Sequence, residues 1–276
     1  MSFRINSNIA SLAAQRHLGK AQRITDKALR ALSSGSRVEN PGDDAAGFAI
    51  SERLKGQLSG IKQASINATS ARAFIQTAEG SLNEQNNILI RLRELAVQSA
   101  SDTVGDTERG YLDEEFQQLI SEFDRVAQTA RFGDKKLLTG TDQEFEFHVG
   151  AFSGPENVIK FRLNANTTAE ESGIVDLSVA DQDDALDVID DIDSALHNVL
   201  GARALFGAAQ SRFQFAIDNL DTQRENIAEA RSNVADANIA EEVSNLAKGK
   251  ILQDIGSAVL AQANSDSHLA LRLLQG

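Results

Sequence analysis

A few groups of residues have types that could support chemistry, and each falls short of a known site. Gly42 and Gly47 have the spacing of a phosphate-binding loop, but Phe48 and Ala49 stand where that loop needs Lys and Ser or Thr. A turn that enters a helix is the favoured interpretation. The acids at 181–193 lack the Gly and final Glu of a calcium loop, so a solvated helix start is favoured. Four histidines lie on separate predicted elements without metal-ligand spacing: His17, His148, His197 and His268.

Composition excludes further classes of site. The 276 residues include no cysteine, which rules out disulfides, zinc–thiolate sites and cysteine nucleophiles. No carboxylate pair, catalytic triad or metal set stands out, so we expect no enzyme activity, no cofactor and no metal. The net charge of −13 argues against nucleic acid or an anionic membrane as a general partner. No run approaches the roughly 18–20 apolar residues of a membrane span, and the start lacks the apolar region of an ordinary secretory signal.

Charge is distributed unevenly along the chain. Residues 1–37 carry seven Lys or Arg and a single acid, Asp26. The segment 170–193 carries acids and no base. Aromatic residues make up only 5% of the chain, while Ala is common on the apolar stripes described below. That composition predicts a narrow core between closely approaching helices.

The longest regular pattern runs from Ile50 to Ser99. Stripe residues recur there at alternating intervals of three and four, with mostly polar residues between them. A period of about 3.5 residues sustained over this length predicts a helix, residues 45–100, that packs along its length against another helix. The stripe consists of Leu54, Gln57, Ile61, Ala64, Ala68, Ala71, Ile75, Ala78, Leu82, Gln85, Leu89, Leu92, Ala96 and Ser99.

A second stripe of similar length predicts a return helix over residues 183–238, folded back against the first. Its members are Val188, Ile192, Ala195, Val199, Ala202, Phe206, Ala209, Phe213, Ala216, Leu220, Gln223, Ile227, Ala230, Val234 and Ala237. Gln85 and Gln223 are polar positions on the two stripes, and buried polar residues fix register in coiled coils. On that hypothesis, Gln85→Leu raises the melting temperature of the monomer while loosening the register.

Shorter elements complete the chain. Residues 5–33 and 107–129 follow the helical period, and Pro41 marks a turn because proline cannot continue a helix. Two segments with strand-like alternation then predict a β-hairpin over residues 144–163. A last helix follows at 239–264. The predicted fold class is mainly α: a long antiparallel helical bundle or coiled-coil rod with a small β-hairpin region.

The last helix is apolar on nearly all sides, and such a helix must be buried on every side. We infer that copies of the same chain cover it, at heterologous contacts that need not close and can build a filament. The predicted polymerisation residues are Ile5, Ile9, Leu12, Val243, Ile251, Ile255, Val259 and Leu260.

Both chain ends are expected to be disordered in the monomer, because neither can bury its stripe alone. Burial between subunits then offsets an ordering entropy on the order of 1–2 kcal/mol per residue for the backbone. On this hypothesis, removal of residues 1–40 or 240–276 leaves a soluble folded core that cannot polymerise.

Short segments in order along the chain and at both ends resemble bacterial flagellin, the subunit of the flagellar filament. They are Leu32–Val38, Asp43–Ile50, Arg91–Ser99, Phe123–Val126, Ala240–Asn245, Ile251–Gln253 and Val259–Asn264. The resemblance implies a structural subunit that self-polymerises and serves swimming motility. It also implies a filament-core domain of residues 1–42 and 239–276, in which the two terminal helices pair. Residues 43–238 form a rod domain, and the outer domains of larger members are missing.

The family also implies a route and a set of partners. Its members leave the cell unfolded through the flagellar type III apparatus, without a cleaved signal peptide, and their location is the extracellular flagellar filament. An export chaperone holds the C-terminal helix beforehand. Hook-associated and cap proteins are the expected neighbours of the filament.

In the family, the segment matching Arg91–Gln98 and an acid on the adjacent helix form the surface read by the flagellin-sensing Toll-like receptor of a host. The resemblance therefore assigns a receptor- and subunit-contact role to Arg91, Leu95, Gln98 and Glu115. Ile90 departs from the Gln that receptor-active members usually carry.

Two alternatives to a filament subunit come from the same patterns. A hook–filament junction protein shares the terminal patterns, but it caps the growing structure instead of elongating it. A signalling coiled coil, such as the cytoplasmic hairpin of a chemoreceptor, needs membrane spans and a receptor tip sequence, which this sequence lacks.

Overall fold

The structure, a computed structural model, describes the backbone of residues 8–275 and the side chains of residues 8–265. Within these residues lie the helices α1 (Ile9–Ser34), α2 (Ala45–Ser99), α3 (Asp106–Thr129), α4 (Gln182–Ala235) and α5 (Ile239–Gln275). Strand β1 (Arg131–Phe132) pairs with β2 (Lys135–Lys136), and β3 (Gln143–His148) pairs with β4 (Val158–Leu163), both antiparallel. The mainly α fold with a small β region is confirmed.

Two helices have C-terminal ends that differ from the predicted bounds by more than one residue. The last helix runs on from residue 264 to Gln275, because neither proline nor glycine interrupts it there. The return helix ends at Ala235, where the chain pairs with the segment after α1. The Arg37 amide donates to the Ala235 carbonyl at 2.7 Å, and the Ala237 amide donates to the Gly35 carbonyl at 2.8 Å. Backbone pairing replaces the helical hydrogen bonds at this point.

The chain forms two compact units. One division falls between Gly56 and Gln57 within α2, and the other between Glu225 and Asn226 within α4. Unit 1 holds the residues before the first division and after the second, and unit 2 holds the residues between them. The two helices that cross the divisions, α2 and α4, each contribute to both units.

The stripe predicted on α2 forms the core of unit 2. Every stripe residue from Ile61 to Ser99 is buried, including the small Ala64, Ala68, Ala71 and Ala78. The alternating intervals of three and four keep these residues on one side of the helix, so neighbouring elements cover the whole row. The prediction from periodicity is confirmed over this stretch.

Helix α4 runs antiparallel to α2 within unit 2. Arg93 on α2 bonds Asp193 on α4 at 2.8 Å, from Nε to Oδ1. Arg203 on α4 bonds Glu79 on α2 at 3.0 Å, from Nη2 to Oε1. Residue numbers therefore fall on α4 as they rise on α2, which confirms the predicted fold-back.

The two glutamines of the predicted stripes lie in different surroundings. Gln85 is fully buried, and its side chain bonds the Phe123 carbonyl of α3 and both oxygens of Thr167. Gln223 is exposed, and its side chain bonds Asn219 on its own helix. The register hypothesis is therefore wrong in its geometry, because neither glutamine joins α2 to α4 by a side-chain hydrogen bond.

A cluster of phenylalanines packs the β3–β4 hairpin against the helices of unit 2. The Phe74 ring of α2 lies 5.0 Å from the Phe145 ring and 5.9 Å from the Phe147 ring, measured between centroids. Phe147 in turn meets Phe213 of α4 edge-on at 5.4 Å. Aromatic contacts of this kind bury large apolar areas, so they fix the hairpin between α2 and α4.

Side chains of α3 tie down the segment between β4 and α4. The Asp113 carboxylate accepts hydrogen bonds from the Ser178 hydroxyl and the Val179 amide, each at 2.9 Å. The Asp124 carboxylate accepts one from the Ala169 amide at 3.2 Å. This segment lacks helices and strands, yet its backbone is held at both ends.

Candidate functional site

The two chain ends pair with each other as antiparallel helices in unit 1. The Asn8 side-chain amide donates to the Ala263 carbonyl at 2.8 Å, near the start of α1. Further along, the Gln253 side-chain amide donates to the Thr25 hydroxyl at 3.1 Å. Helix α1 therefore lies beside α5 over most of its length.

Small residues allow α1 and α5 to approach closely. The buried residues of α1 are Ser11, Ala14, Ala21, Thr25, Ala28 and Ala31. Opposite them, Gly249 of α5 is also buried, and a Cβ atom added there would lie 2.5 Å from the Thr25 hydroxyl oxygen. It would also lie 3.3 Å from the Thr25 backbone nitrogen. Glycine is therefore required at this position for the observed spacing.

The apolar stripe predicted on the last helix lies on the outside of unit 1. Val243, Ile251, Ile255 and Val259 are each between 50% and 58% exposed. Leu260 is half-buried, and its spacing from Gly256 and Ala263 places it on the side of α5 that faces α1. Covering α1 therefore uses one side of α5 and leaves the opposite, apolar side open.

Helix α1 also exposes apolar residues near its start. Ile9 is 60% exposed and Leu12 is 56% exposed. Their spacing of three places them on one side of α1. Ile5, the third residue predicted for polymerisation on this helix, lies outside the described residues.

The structure brings Arg91 and Glu115 together on the surface of unit 2. The guanidinium of Arg91 donates to Glu115 Oε1 twice, at 2.9 Å from Nε and at 2.7 Å from Nη2. Its third contact is Glu94 Oε2, at 3.1 Å from Nη1. These bonds, to Glu115 first and Glu94 second, raise the pKa of Arg91 above its ordinary value. The three charges join α2 to α3 in one exposed network.

The remaining residues of this predicted contact surface divide between surface and core. Gln98 is exposed, and Ile90 is 45% exposed. Leu95 is fully buried in the core of unit 2. A partner that meets the folded unit cannot reach the Leu95 side chain, so we leave it out of the surface and add Ile90.

We expect the Arg91–Glu115 pair to contribute little to stability. Both side chains are about half exposed, and exposed ion pairs contribute up to about 1 kcal/mol. A double-mutant cycle with Arg91→Ala and Glu115→Ala, measured by urea unfolding, should give a coupling free energy in that range. A coupling above about 2 kcal/mol would contradict a purely surface role.

Two kinds of site are not found in the described part of the chain. No group of three or more His, Asp or Glu side chains there is placed to hold a metal ion. None of the helices, over the residues that the structure describes, combines the length and the apolarity needed to cross a membrane.

The fold and its exposed surfaces define a class of protein: a mainly helical chain whose two ends pair and leave an apolar stripe uncovered. The model of the bacterial flagellin N-terminal helical region matches residues 5–143. The model of the bacterial flagellin C-terminal helical region matches residues 189–274. A flagellin of Halalkalibacterium halodurans is 39% identical over 272 residues, covering 98% of this chain and 99% of that protein. The chain belongs to the bacterial flagellin family, whose members are structural subunits of the flagellar filament.

Solved structures agree in fold. The crystal structure of Bacillus cereus flagellin is 26% identical, with a TM-score of 0.50, and the match covers 60% of this chain and 94% of that one. The structure of a putative flagellar hook-associated protein from Vibrio parahaemolyticus is 14% identical, with a TM-score of 0.59, over 70% of this chain and 100% of that one. At that identity the second likeness shows the fold alone.

Proposed function

We propose that the chain polymerises into the flagellar filament by burying the exposed stripe of α5 against identical neighbours. The observation that carries this proposal is the stripe of Val243, Ile251, Ile255 and Val259, each about half exposed on a long helix. Full burial of such a side chain contributes about 1.5–3 kcal/mol. Ile9 and Leu12 of α1 add to the same driving force from the other chain end.

The proposed domain organisation follows from this role. Residues 1–42 and 239–276 form the filament core through the pairing of α1 with α5, and residues 43–238 form the rod domain. The small residues between α1 and α5 support this assignment, because they let the two helices act as one element. In the structure of the single chain, α1 and α5 already pair as helices, so we propose that entry into the filament covers their exposed apolar residues.

Replacing one stripe residue with a charge tests the proposal. Ile255→Asp should raise the critical concentration for growth on filament seeds at least about tenfold, because burial of a carboxylate at a subunit contact is costly. Sedimentation of polymer at graded protein concentrations measures the effect. Val175→Asp is the matched control, since Val175 is 47% exposed in a loop of unit 2. Equal critical concentrations for the two variants would refute the role of the stripe.

A hook–filament junction protein is the alternative, because it shares the terminal sequence patterns; the putative hook-associated protein of Vibrio parahaemolyticus shares the fold alone. A junction protein caps growth, whereas a filament subunit elongates it. Growth of long filaments from seeds by the pure protein supports the subunit role, and arrest after one added layer supports the junction role. A signalling coiled coil has no comparable support.

We further propose the family's export route and partners for this chain. The subunit leaves the cell unfolded through the flagellar type III apparatus and works outside the cell. An export chaperone covers the stripe of α5 before export, since the same stripe would otherwise drive early polymerisation. Hook-associated and cap proteins bound the filament at its two ends.

We propose that an exposed surface formed by α2 and α3 is the one read by the flagellin-sensing Toll-like receptor. Its members are Arg91, Gln98 and Glu115, together with Ile90. The Arg91–Glu115 bonds hold a cation and an acid in fixed positions across two helices. A surface of this kind supports specific polar recognition, and the same residues are available to a neighbouring subunit.

A further inference from the structure

Five cations follow one face of α1. They recur at intervals of four, three, four and three, which keeps them within an arc of about 80° on the helix. All five are exposed. We call this set the cationic stripe: Arg16, Lys20, Arg23, Lys27 and Arg30.

Within the described residues, a single ion pair reaches the cationic stripe. Lys27 reaches Asp43 Oδ1 at 3.8 Å. For the other four cations, the described part of the chain supplies no acid within ion-pair distance. Like charges three and four residues apart destabilise a helix slightly, so the stripe works against the folding of α1 in the free subunit. An anionic partner would remove that repulsion.

The two units differ strongly in charge. The sequence segments of unit 1 hold 13 Lys or Arg and 11 Asp or Glu, a net charge of +2. Those of unit 2 hold 14 Lys or Arg and 29 Asp or Glu, a net charge of −15. In an assembly of identical chains, unit 2 of another copy offers the cationic stripe a strongly anionic surface.

The position of the cationic stripe also indicates that its partner is a second copy of the chain. Ile9 and Leu12, the exposed apolar residues of α1, continue the row of cations towards the start of the helix. The face therefore begins with apolar residues proposed for subunit contact and continues with charge. A single partner that covers the whole face needs both an apolar and an anionic part.

We propose that the cationic stripe of α1 docks against the anionic unit 2 of a neighbouring copy. This inference rests on the proposed polymerisation and adds an electrostatic contact to its apolar one. Complementary charge steers encounter and disfavours wrong orientations more than it adds affinity. The stripe thus selects how an incoming subunit is oriented while the α5 stripe holds it.

Charge reversal within the stripe tests the inference. Arg23→Glu with Arg30→Glu should raise the critical concentration on wild-type seeds about tenfold at 0.1 M NaCl, because attraction becomes repulsion. The control, Arg131→Glu with Arg212→Glu, makes the same change in net charge at exposed positions of unit 2. In the ratio of the critical concentration of the stripe variant to that of the control variant, the effect of net charge cancels. It should fall towards one at 1 M NaCl, where the screening length drops from about 10 Å to about 3 Å.

Three results separate the outcomes. A ratio of one at 0.1 M NaCl, or a ratio that does not change at 1 M NaCl, would overturn the electrostatic docking. Normal growth of the wild type in the same experiment would leave the proposed function standing. Failure of the wild type to add to seeds would overturn the proposed function and this inference with it. A ratio of one together with wild-type binding to phosphatidylglycerol vesicles, lost in Arg23→Glu with Arg30→Glu, would identify a membrane surface as the occupant instead. Equal helicity of both variants by circular dichroism confirms that α1 still forms.

Discussion

Gln85→Leu should lower the free energy of unfolding of unit 2 by about 2–4 kcal/mol, because each buried polar group left without a partner costs about 1–3 kcal/mol. The Gln85 side-chain amide donates to the Phe123 carbonyl at 3.2 Å and to the Thr167 carbonyl at 2.9 Å. Its oxygen accepts from the Thr167 hydroxyl at 2.7 Å. Leucine fits the space approximately but satisfies none of these groups. Urea unfolding followed by circular dichroism measures the loss.

Gln223→Leu is the matched control for this prediction. The same substitution there acts on an exposed side chain that bonds Asn219 on its own helix, so the change should stay within about 0.5 kcal/mol. Thr167→Val combined with Gln85→Leu should cost less than the two single changes together, because their polar groups bond each other. A Gln85→Leu variant as stable as the wild type would show that this network does not hold α2 to α3.

The sign of this prediction reverses the expectation from sequence, and the reason is the distance along the chain. The period of α2 is a local pattern, and it correctly placed Gln85 among the buried residues. Its partners come from α3 and from the segment after β4, 38 and 82 residues away. Periodicity shows which side of a helix is buried, but it does not show which carbonyl groups of distant segments lie against that side.

Local patterns also explain what could be predicted about the candidate site. The α5 stripe is exposed as expected, because α1 covers one side of α5 with small residues and leaves the other. Leu95 was assigned to a contact surface by resemblance alone. Its place beside Leu92 and Ala96, both buried, is a periodic signal that would have assigned it to the core.

The β1–β2 hairpin was not predicted from the sequence, because its strands have only two residues each. Too few residues alternate there for a period to be read. The signal present was Gly133-Asp134 between Phe132 and Lys135, and Gly133 has a φ of 61°. A two-residue turn with positive φ favours glycine, so the turn was readable although the strands were not.

Gly249→Leu should separate α1 from α5 and abolish growth on filament seeds. Even a single added carbon at this position meets the Thr25 hydroxyl oxygen at 2.5 Å and the Thr25 backbone nitrogen at 3.3 Å. The Thr25 hydroxyl cannot simply turn away, because it donates to the Ala21 carbonyl at 3.1 Å and accepts from Gln253. Overpacking of this kind costs about 1–3 kcal/mol. Hydrogen exchange of the α1 and α5 amides should show the lost protection directly.

Gly207→Leu separates this packing effect from a general effect of replacing a helical glycine. A Cβ atom at Gly207 meets nothing within 4 Å, so leucine there should stabilise α4 by up to about 1 kcal/mol through helix propensity. Replacing Gly249 with leucine brings the same gain in helix propensity. Any loss of amide protection in α1 and α5 therefore understates the steric cost of that substitution. Thr25→Ala should partly rescue Gly249→Ala, since it removes the oxygen that the new carbon meets. If Gly249→Leu left the exchange of both helices unchanged, close approach of the chain ends would not be what pairs them, and the filament-core element would need another explanation.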